Sequence, residues 1–375
     1  MGILDKQLVF QNLINILGWH TKRHIVVIES DDWGSIRMPS KEVYNRLFDA
    51  GIRVDKCYFC SNDSIANEDD LTLLFDVLNK HKGINGCPAV ITANAVVANP
   101  HFEKIKESGF TQYFYKKITD EIPTIKGCKH VLDLWREGGE NGCFRIQSHG
   151  REHLNVARWM YYLRENHPET RLAFDYGVYG LSTTITSEKR RSFLPAFDFE
   201  NSQEEQQINA IASEGLSIFN KIFGYKSTSF IAPNYCWGKS LEKTIANNGV
   251  KYIQGQQLGR YVNSSDEKNK SRLRPTGKKN SYNQIDLSRN AFFEPSSNPA
   301  KDYLDSCLHD IEIAFRWHSP AIICSHRVNF VSAMNVDNRD RNLKLFDQLL
   351  YQIQKRWPDV EFMSSDQLGD LIIQK

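Results

Sequence analysis

Apolar residues along this chain gather into short continuous runs separated by longer stretches with helical spacing. HIVVIES (24–30), PAVITANAVV (88–97), FRIQSHG (144–150), STSFIAPN (227–234), VKYIQG (250–255), PAIICSH (320–326) and VEFMSS (360–365) read as strands. Runs apolar on both faces are those of parallel sheets covered by helices. The spacing between them predicts helices near 40–50, 69–81, 203–223, 239–248, 302–317 and 340–357. Ile3, Leu4, Leu8, Leu13, Ile14 and Leu17 share one helical face over 3–17. With Lys6 the one basic residue in that segment, the face reads as a cover for the core rather than a membrane-surface helix. Strand–helix alternation along the whole chain specifies an α/β fold with a parallel sheet, open or closed. Three long stretches interrupt it, near 103–140, 155–200 and 257–300. Loops of that length carry function or structure of their own.

Composition narrows the classes. The 375 residues carry 47 Lys+Arg against 45 Asp+Glu, a formal charge of +2, with 41% hydrophobic and 25% charged residues. Those fractions describe a globular protein, and the near balance of charge argues against a dedicated nucleic-acid binder. One segment, NSSDEKNKSRLRPTGKKN (263–280), holds six basic and two acidic residues, so a +4 loop is set against −2 for everything else. It reads first as a solvated loop and second as a grip for a phosphate. No apolar run approaches the roughly 18 residues that span a bilayer. The first residues lack the basic, apolar and small-residue order of a secretory signal. The eight cysteines therefore read as reduced thiols of a cytoplasmic protein. Cys57 and Cys60 form one CxxC, but no second pair follows at the spacing of a structural zinc site.

In a parallel α/β sheet, ligands bind beyond the C-terminal ends of the strands. Three predicted strands deliver ionisable side chains to that edge: Asp31 and Asp32, His149, and His326. His149 and His153 are four apart, so one helical turn presents both imidazoles on one side. Two histidines and a carboxylate at an open site suit Zn²⁺ with a water in the fourth position. The spacing alone is weak, because His20 and His24 repeat it; that pair, however, precedes the first strand, at the opposite end. Adjacent Asp31 and Asp32 would face opposite ways on an ideal strand. A turn starting at Asp31 would aim both inward, one to bind metal and one to stay free as a base.

IVVIESDDWG, SHGREH, FIAPNYCWG and IICSH, in that order, resemble motifs of the polysaccharide deacetylase family (carbohydrate esterase family 4, the NodB-homology domain). The resemblance extends through PAVITANAV, KSLEKTIANNGVKYIQG and VEFMSSDQL, covering about residue 20 to the end. It implies a distorted (β/α) barrel, seven-stranded and TIM-like with long inserted loops; the apolar face of the N-terminal segment separately predicts that the helix of residues 1–19 packs on that barrel. It also implies hydrolysis of N- or O-acetyl groups on a sugar with a divalent metal, most often Zn²⁺, with Co²⁺ or Ni²⁺ as alternatives. Asp31 would be the general base, Asp32, His149 and His153 the metal ligands, and His326 the general acid. The backbone N–H of Asn234 would help hold the oxyanion. Trp33, Tyr235 and Trp237 would form a sugar platform.

This sequence departs from the family pattern at several points. Ile231 stands where the family's third motif carries the arginine that orients the base. Arg145, Arg289 and Arg327 are candidate substitutes. Trp33 replaces a glycine, Gly150 a serine and Cys324 a leucine. Glu29 is a further carboxylate near the base, and SRNAFFEPSSNP (288–299) carries Arg289 and Glu294 in a long loop that could line the cleft. The expected protein is a cytoplasmic deacetylase of an acetylated carbohydrate, polysaccharide or glycan precursor. The rival readings are a catalytically silent glycan-binding protein on the same barrel and a hydrolase of another amide bond.

Overall fold

The computed structural model describes residues 3–262 and 270–374. Its centre is a ring of parallel strands: β1 (Ile25–Trp33), β2 (Ile91–Ala95), β3 (Phe144–Ser148), β4 (Ser229–Ile231), β5 (Tyr252–Gln256), β6 (Ile285–Arg289), β7 (Ala291–Phe292) and β8 (Ala321–His326). They are ordered β6-β5-β4-β3-β2-β1-β8-β7. β6 and β7 lie at opposite ends of that path yet are consecutive in the chain, separated by Asn290 alone. The circuit therefore closes through the chain itself, and the architecture is a distorted (β/α) barrel. Asn290 staples the junction: its N–H donates to the Ile322 carbonyl, its side-chain oxygen accepts from the Ile322 N–H, and its amide donates to the Pro320 carbonyl.

The ring holds eight strands where seven were expected, because one stave is broken at Asn290. The stretch 257–300, expected to interrupt the alternation, supplies that stave, while β9 (Glu361–Met363) pairs with β1 off the ring path. IDLSRNAF mixes polar and apolar residues, so it lacks the continuous apolar run that marks the other staves. The basic segment is likewise not simply a solvated loop. Residues 263–269 lie outside the described residues, but Arg274 is buried, donates to Asp286 at 3.1 Å and stacks on Trp237 at 4.3 Å.

Alternation along β1 divides the two faces. Val26 and Ile28 pack outward with the large core shared by the surrounding helices. Ile25 and Val27 instead meet Tyr252, Leu287 and Ile322 from other staves across the barrel, with Leu368 and Ile372 of the C-terminal helix Ser365–Ile373. Gly369 permits that close approach, since a Cβ there would lie 2.4 Å from the Tyr252 ring. Further along the inward face of β1 the apolar layer gives way to Glu29 and Asp31, both buried. The barrel is thus apolar at its N-terminal end and charged at its C-terminal end. No described helix is long and apolar enough to cross a membrane.

Candidate active site

β1 and β8 pair with Asp31 opposite His326. The register between β1 and β2 slips between Ser30 and Trp33, and Asp32 sits there in the left-handed region, at φ 73°. Such a conformation is uncommon for a residue with a Cβ and persists where surrounding contacts impose it. The bulge is what turns both neighbouring carboxylates into the same cleft. After β3, Gly150 adopts φ +101° beneath Phe197, and the loop carries His149 and His153 over the strand ends. The turn Pro233–Tyr235 contains two left-handed residues, Asn234 and Tyr235.

A cleft of about 370 Å³ brings together Asp31, Asp32, His149, His153, Asn234, Tyr235 and His326. Within it, one oxygen of Asp32 lies 3.5 Å from His149 Nε2 and 3.4 Å from His153 Nε2. Ligand atoms of the three buried residues all fall within 4.8 Å of one another, so the group could hold a metal ion. The donor set suits that role. His149 Nδ1 lies 2.9 Å from the Ile231 carbonyl, which fixes the proton there and leaves Nε2 with its lone pair. His153 Nδ1 is buried without a hydrogen-bond partner. Burial pushes His153 down to about 3, against the pull of Asp32, so the ring is neutral, as a ligand must be. Asp32 is held well below the usual carboxylate range, because Arg37 and both histidines outweigh its burial. Its other oxygen accepts from Arg37 at 3.3 Å. Arg37 also reaches toward Asp63, which Arg327 binds at 2.9 Å.

A second constellation flanks the first. Arg289, fully buried, donates Nη2 to one oxygen of Asp31 at 2.6 Å and Nη1 to the other at 2.8 Å. Its Nε donates to Glu29 at 2.6 Å. Asn94 donates to Asp31 at 2.8 Å. Burial would raise the pKa of Asp31, but Arg289 and the nearby histidines overcome it and hold the group down at about 2. Glu29 moves the opposite way, since burial outweighs its share of the guanidinium. On the far side, His326 Nε2 lies 3.8 Å from Asp31 and Nδ1 is hydrogen-bonded to Glu294. Burial opposes the charge on His326, but Glu294 prevails and raises it to about 10.

Of the three arginines considered as substitutes at the Ile231 position, Arg289 is the one at the base. Arg145 binds Asp366 at 2.8 Å and Arg327 binds Asp63. Tyr235 lines the cleft, and its hydroxyl accepts from Arg289 at 2.7 Å. Trp33 and Trp237 are corrections, for neither lines the cleft. Trp33 is fully buried against Phe144 and Trp135, its indole N–H donating to Ser30 at 3.0 Å. Trp237 is buried under Arg274 in a separate apolar cluster. The reading from residues alone missed Arg37, which lies in no recognisable motif, and Asn94, which is one polar residue within the second strand segment, and gave Glu294 no role.

No family model matches the chain, and no curated protein matches it. Solved structures do. A protein described as a polysaccharide deacetylase from Mycobacterium smegmatis aligns over 96% of this chain and 93% of its own, at 9% identity and a TM-score of 0.44. The Puue allantoinase aligns over 94% and 91%, at 11% and 0.45. A pseudoenzyme of carbohydrate esterase family 4 from Bacillus anthracis aligns over 93% and 66%, at 9% and 0.39. Likeness at this level says nothing about chemistry, which rests on the residues described above.

Proposed function

We propose that this protein is a metal-dependent hydrolase that removes N- or O-acetyl groups from a carbohydrate. The observation that carries the reading is the meeting, in one cleft, of an Asp32–His149–His153 cluster with an independent acid–base pair. Asp31 and His326 have their charges set by separate partners, Arg289 and Glu294. Bound by the cluster, a divalent cation such as Zn²⁺ would polarise the acetyl carbonyl and acidify a water.

The chain's own residues supply the rest. Asp31 is the carboxylate that accepts the proton of the attacking water. The Arg289 clamp fixes its plane at some cost in basicity, since a base works best with a pKa near the operating pH. Asn234 lies in a left-handed turn on the cleft, and its backbone N–H would be the donor that holds the oxyanion. A donor of this kind contributes roughly 3–4 kcal/mol to the transition state. His326 donates a proton to the departing sugar nitrogen or oxygen. With Asp31 at about 2 and His326 at about 10, carboxylate and imidazolium coexist over the whole range between. Two titratable groups pushed apart in this way mark an acid and a base. A silent glycan-binding protein was favoured only by the arginine absent at Ile231, and Arg289 supplies its contacts.

Two supports for the remaining details come from the sequence. The resemblance points to a sugar substrate, and eight cysteines, all unpaired, support a cytoplasmic location. The test is acetate release from a panel of N- and O-acetylated sugars by zinc-loaded protein. Asp31→Asn should abolish turnover while zinc stays bound. Full turnover by that variant, or no acetate from any member of the panel, would sink the proposal.

A further inference from the structure

One wall of the cleft is the segment Lys56–Phe59, which contains half of the CxxC motif. Cys57 caps the short helix Tyr58–Asn62 and Cys60 lies within it, three residues on. On one helical turn the Cβ atoms of residues three apart lie about 5–6 Å from each other, and a disulfide would draw them to roughly 4 Å. We propose that Cys57 and Cys60 form a redox-active dithiol on the catalytic cleft, in which a hydroperoxide oxidises Cys57 and Cys60 resolves the product to a disulfide.

The two thiols have the division of labour such a pair needs. Cys57 is half-buried and reaches the cleft, whereas Cys60 is buried behind it. A hydrogen bond from the Cys60 thiol, helped by the charge of Arg37, holds Cys57 at about 6 against its burial. Cys60 is pushed up by that same bond and by burial, and keeps its proton. Thiolate character and access select which cysteine reacts with a peroxide. By contrast, Cys128 and Cys143 are buried and raised to about 11.

The chemistry balances in two steps. The Cys57 thiolate attacks the terminal peroxide oxygen; the O–O bond breaks, and the leaving oxygen takes a proton and departs as water from hydrogen peroxide or as an alcohol from an organic hydroperoxide. The Cys60 sulfur then attacks the Cys57 sulfenic acid. An S–S bond forms, the S–O bond breaks, and the Cys60 proton leaves with the hydroxyl as water. Two electrons pass from the two thiols to the peroxide.

The disulfide also bears on the site. Between the two cysteines, the Phe59 ring stands edge-on to His326 at 5.5 Å and lies under the Arg37 guanidinium at 4.4 Å. Drawing Cys57 and Cys60 together therefore shifts the ring that contacts the acid and the arginine beside Asp32. Only this effect on turnover rests on the function proposed above.

The experiment treats the reduced, full-length protein with one equivalent of hydrogen peroxide and maps peptides without reduction. The expected product links residues 57 and 60, consumes two of the thiols and is reversed by dithiothreitol. Cys60→Ser should stop at a sulfenic acid on Cys57, trapped by dimedone, and Cys57→Ser should leave Cys60 reduced. Oxidation falling first on exposed Cys87, or thiol loss at an unchanged rate in Cys57→Ser, would overturn the proposal. Turnover by the oxidised, zinc-loaded protein should fall several-fold, and unchanged turnover would refute the coupling through Phe59. If the reduced protein releases no acetate at all, the hydrolase reading fails while the peptide map still decides this one.

Discussion

Arg289 grips both carboxylate oxygens of Asp31, at 2.6 and 2.8 Å, although the two residues lie 258 positions apart in the chain. The same guanidinium binds Glu29, so one cation compensates two buried acids. The fully buried arginine thus fixes the plane of Asp31 while keeping it charged.

Replacing Arg289 should consequently separate turnover from metal binding. In Arg289→Lys, a point charge replaces a planar fork. We expect kcat to fall about 100-fold, roughly 2.7 kcal/mol, with zinc content unchanged by elemental analysis. Removing the charge altogether in Arg289→Met should cost about 3–5 kcal/mol of stability, since buried carboxylates are left unpaired. Chemical denaturation would measure that loss, and an unaltered kcat in the lysine variant would show that the clamp is not used.

Glu294 should act through His326. In Glu294→Gln the chief partner that keeps the imidazole charged is gone, and burial is opposed only by the weaker pull of Cys324 and Asp31. The pKa of His326, followed by NMR of the ring protons, should drop from about 10 to below neutrality. Turnover at neutral pH should fall with it and recover partly as the solution is made more acidic. A His326 titration unmoved by the substitution would refute the assignment.

Zinc should stabilise the fold through Asp32, His149 and His153. A ligand that binds the native state alone adds about 2.7 kcal/mol at a hundredfold excess over its Kd. We expect Tm to rise on adding zinc and to return after chelation. His149→Ala paired with His153→Ala should abolish the shift, whatever the Tm of the metal-free variant.

Trp33 should behave as a core residue. Trp33→Ala empties the space against Phe144, 4.9 Å away between ring centroids, and should cost about 3–5 kcal/mol in denaturant. Trp33→Phe should restore most of that stability and bind carbohydrate as the parent does. A large change in sugar affinity in the phenylalanine variant would return Trp33 to the binding surface.

Asp310 gives a stability test by pH away from the cleft. Burial raises its carboxyl to about 6, against a backbone hydrogen bond, His309, Lys301 and the amide of Gln11, 2.8 Å away on the N-terminal helix Ile3–Ile16. The folded state therefore holds the proton more tightly than the unfolded chain. Its contribution is intact below the unfolded value near 3.8 and is lost as pH rises through about 6, at a cost of about 3 kcal/mol. Asp310→Asn should thus stabilise the protein at pH 7 and leave it nearly unchanged at pH 4. Equal effects at the two pH values would refute the burial argument.

Much of this architecture was legible in the chain itself. Continuous apolar runs mark β1, β2 and β8 because a stave covered on both faces must be apolar throughout. Helical periodicity foretold the helices Ser202–Phe223 and Tyr303–Arg316 closely. Asp31, Asp32, His149 and His326 could be singled out because parallel strands deliver their C-terminal residues to one edge, and topology alone dictates which edge.

What tertiary structure decided is which partner each of these groups meets. Three arginines were equal candidates by sequence, and only the closing of the ring at Asn290 brings Arg289 to Asp31 while sending Arg145 and Arg327 to Asp366 and Asp63. Trp33 was mistaken for a sugar platform because its neighbours are functional, whereas the bulge that turns Asp32 into the cleft leaves Trp33 in the core. Local patterns encode strands, helices and the edge where chemistry gathers, since those follow from nearest-neighbour geometry. Charge pairing across hundreds of residues, and the acid and base strengths that follow from it, exist only once the barrel has closed and excluded water.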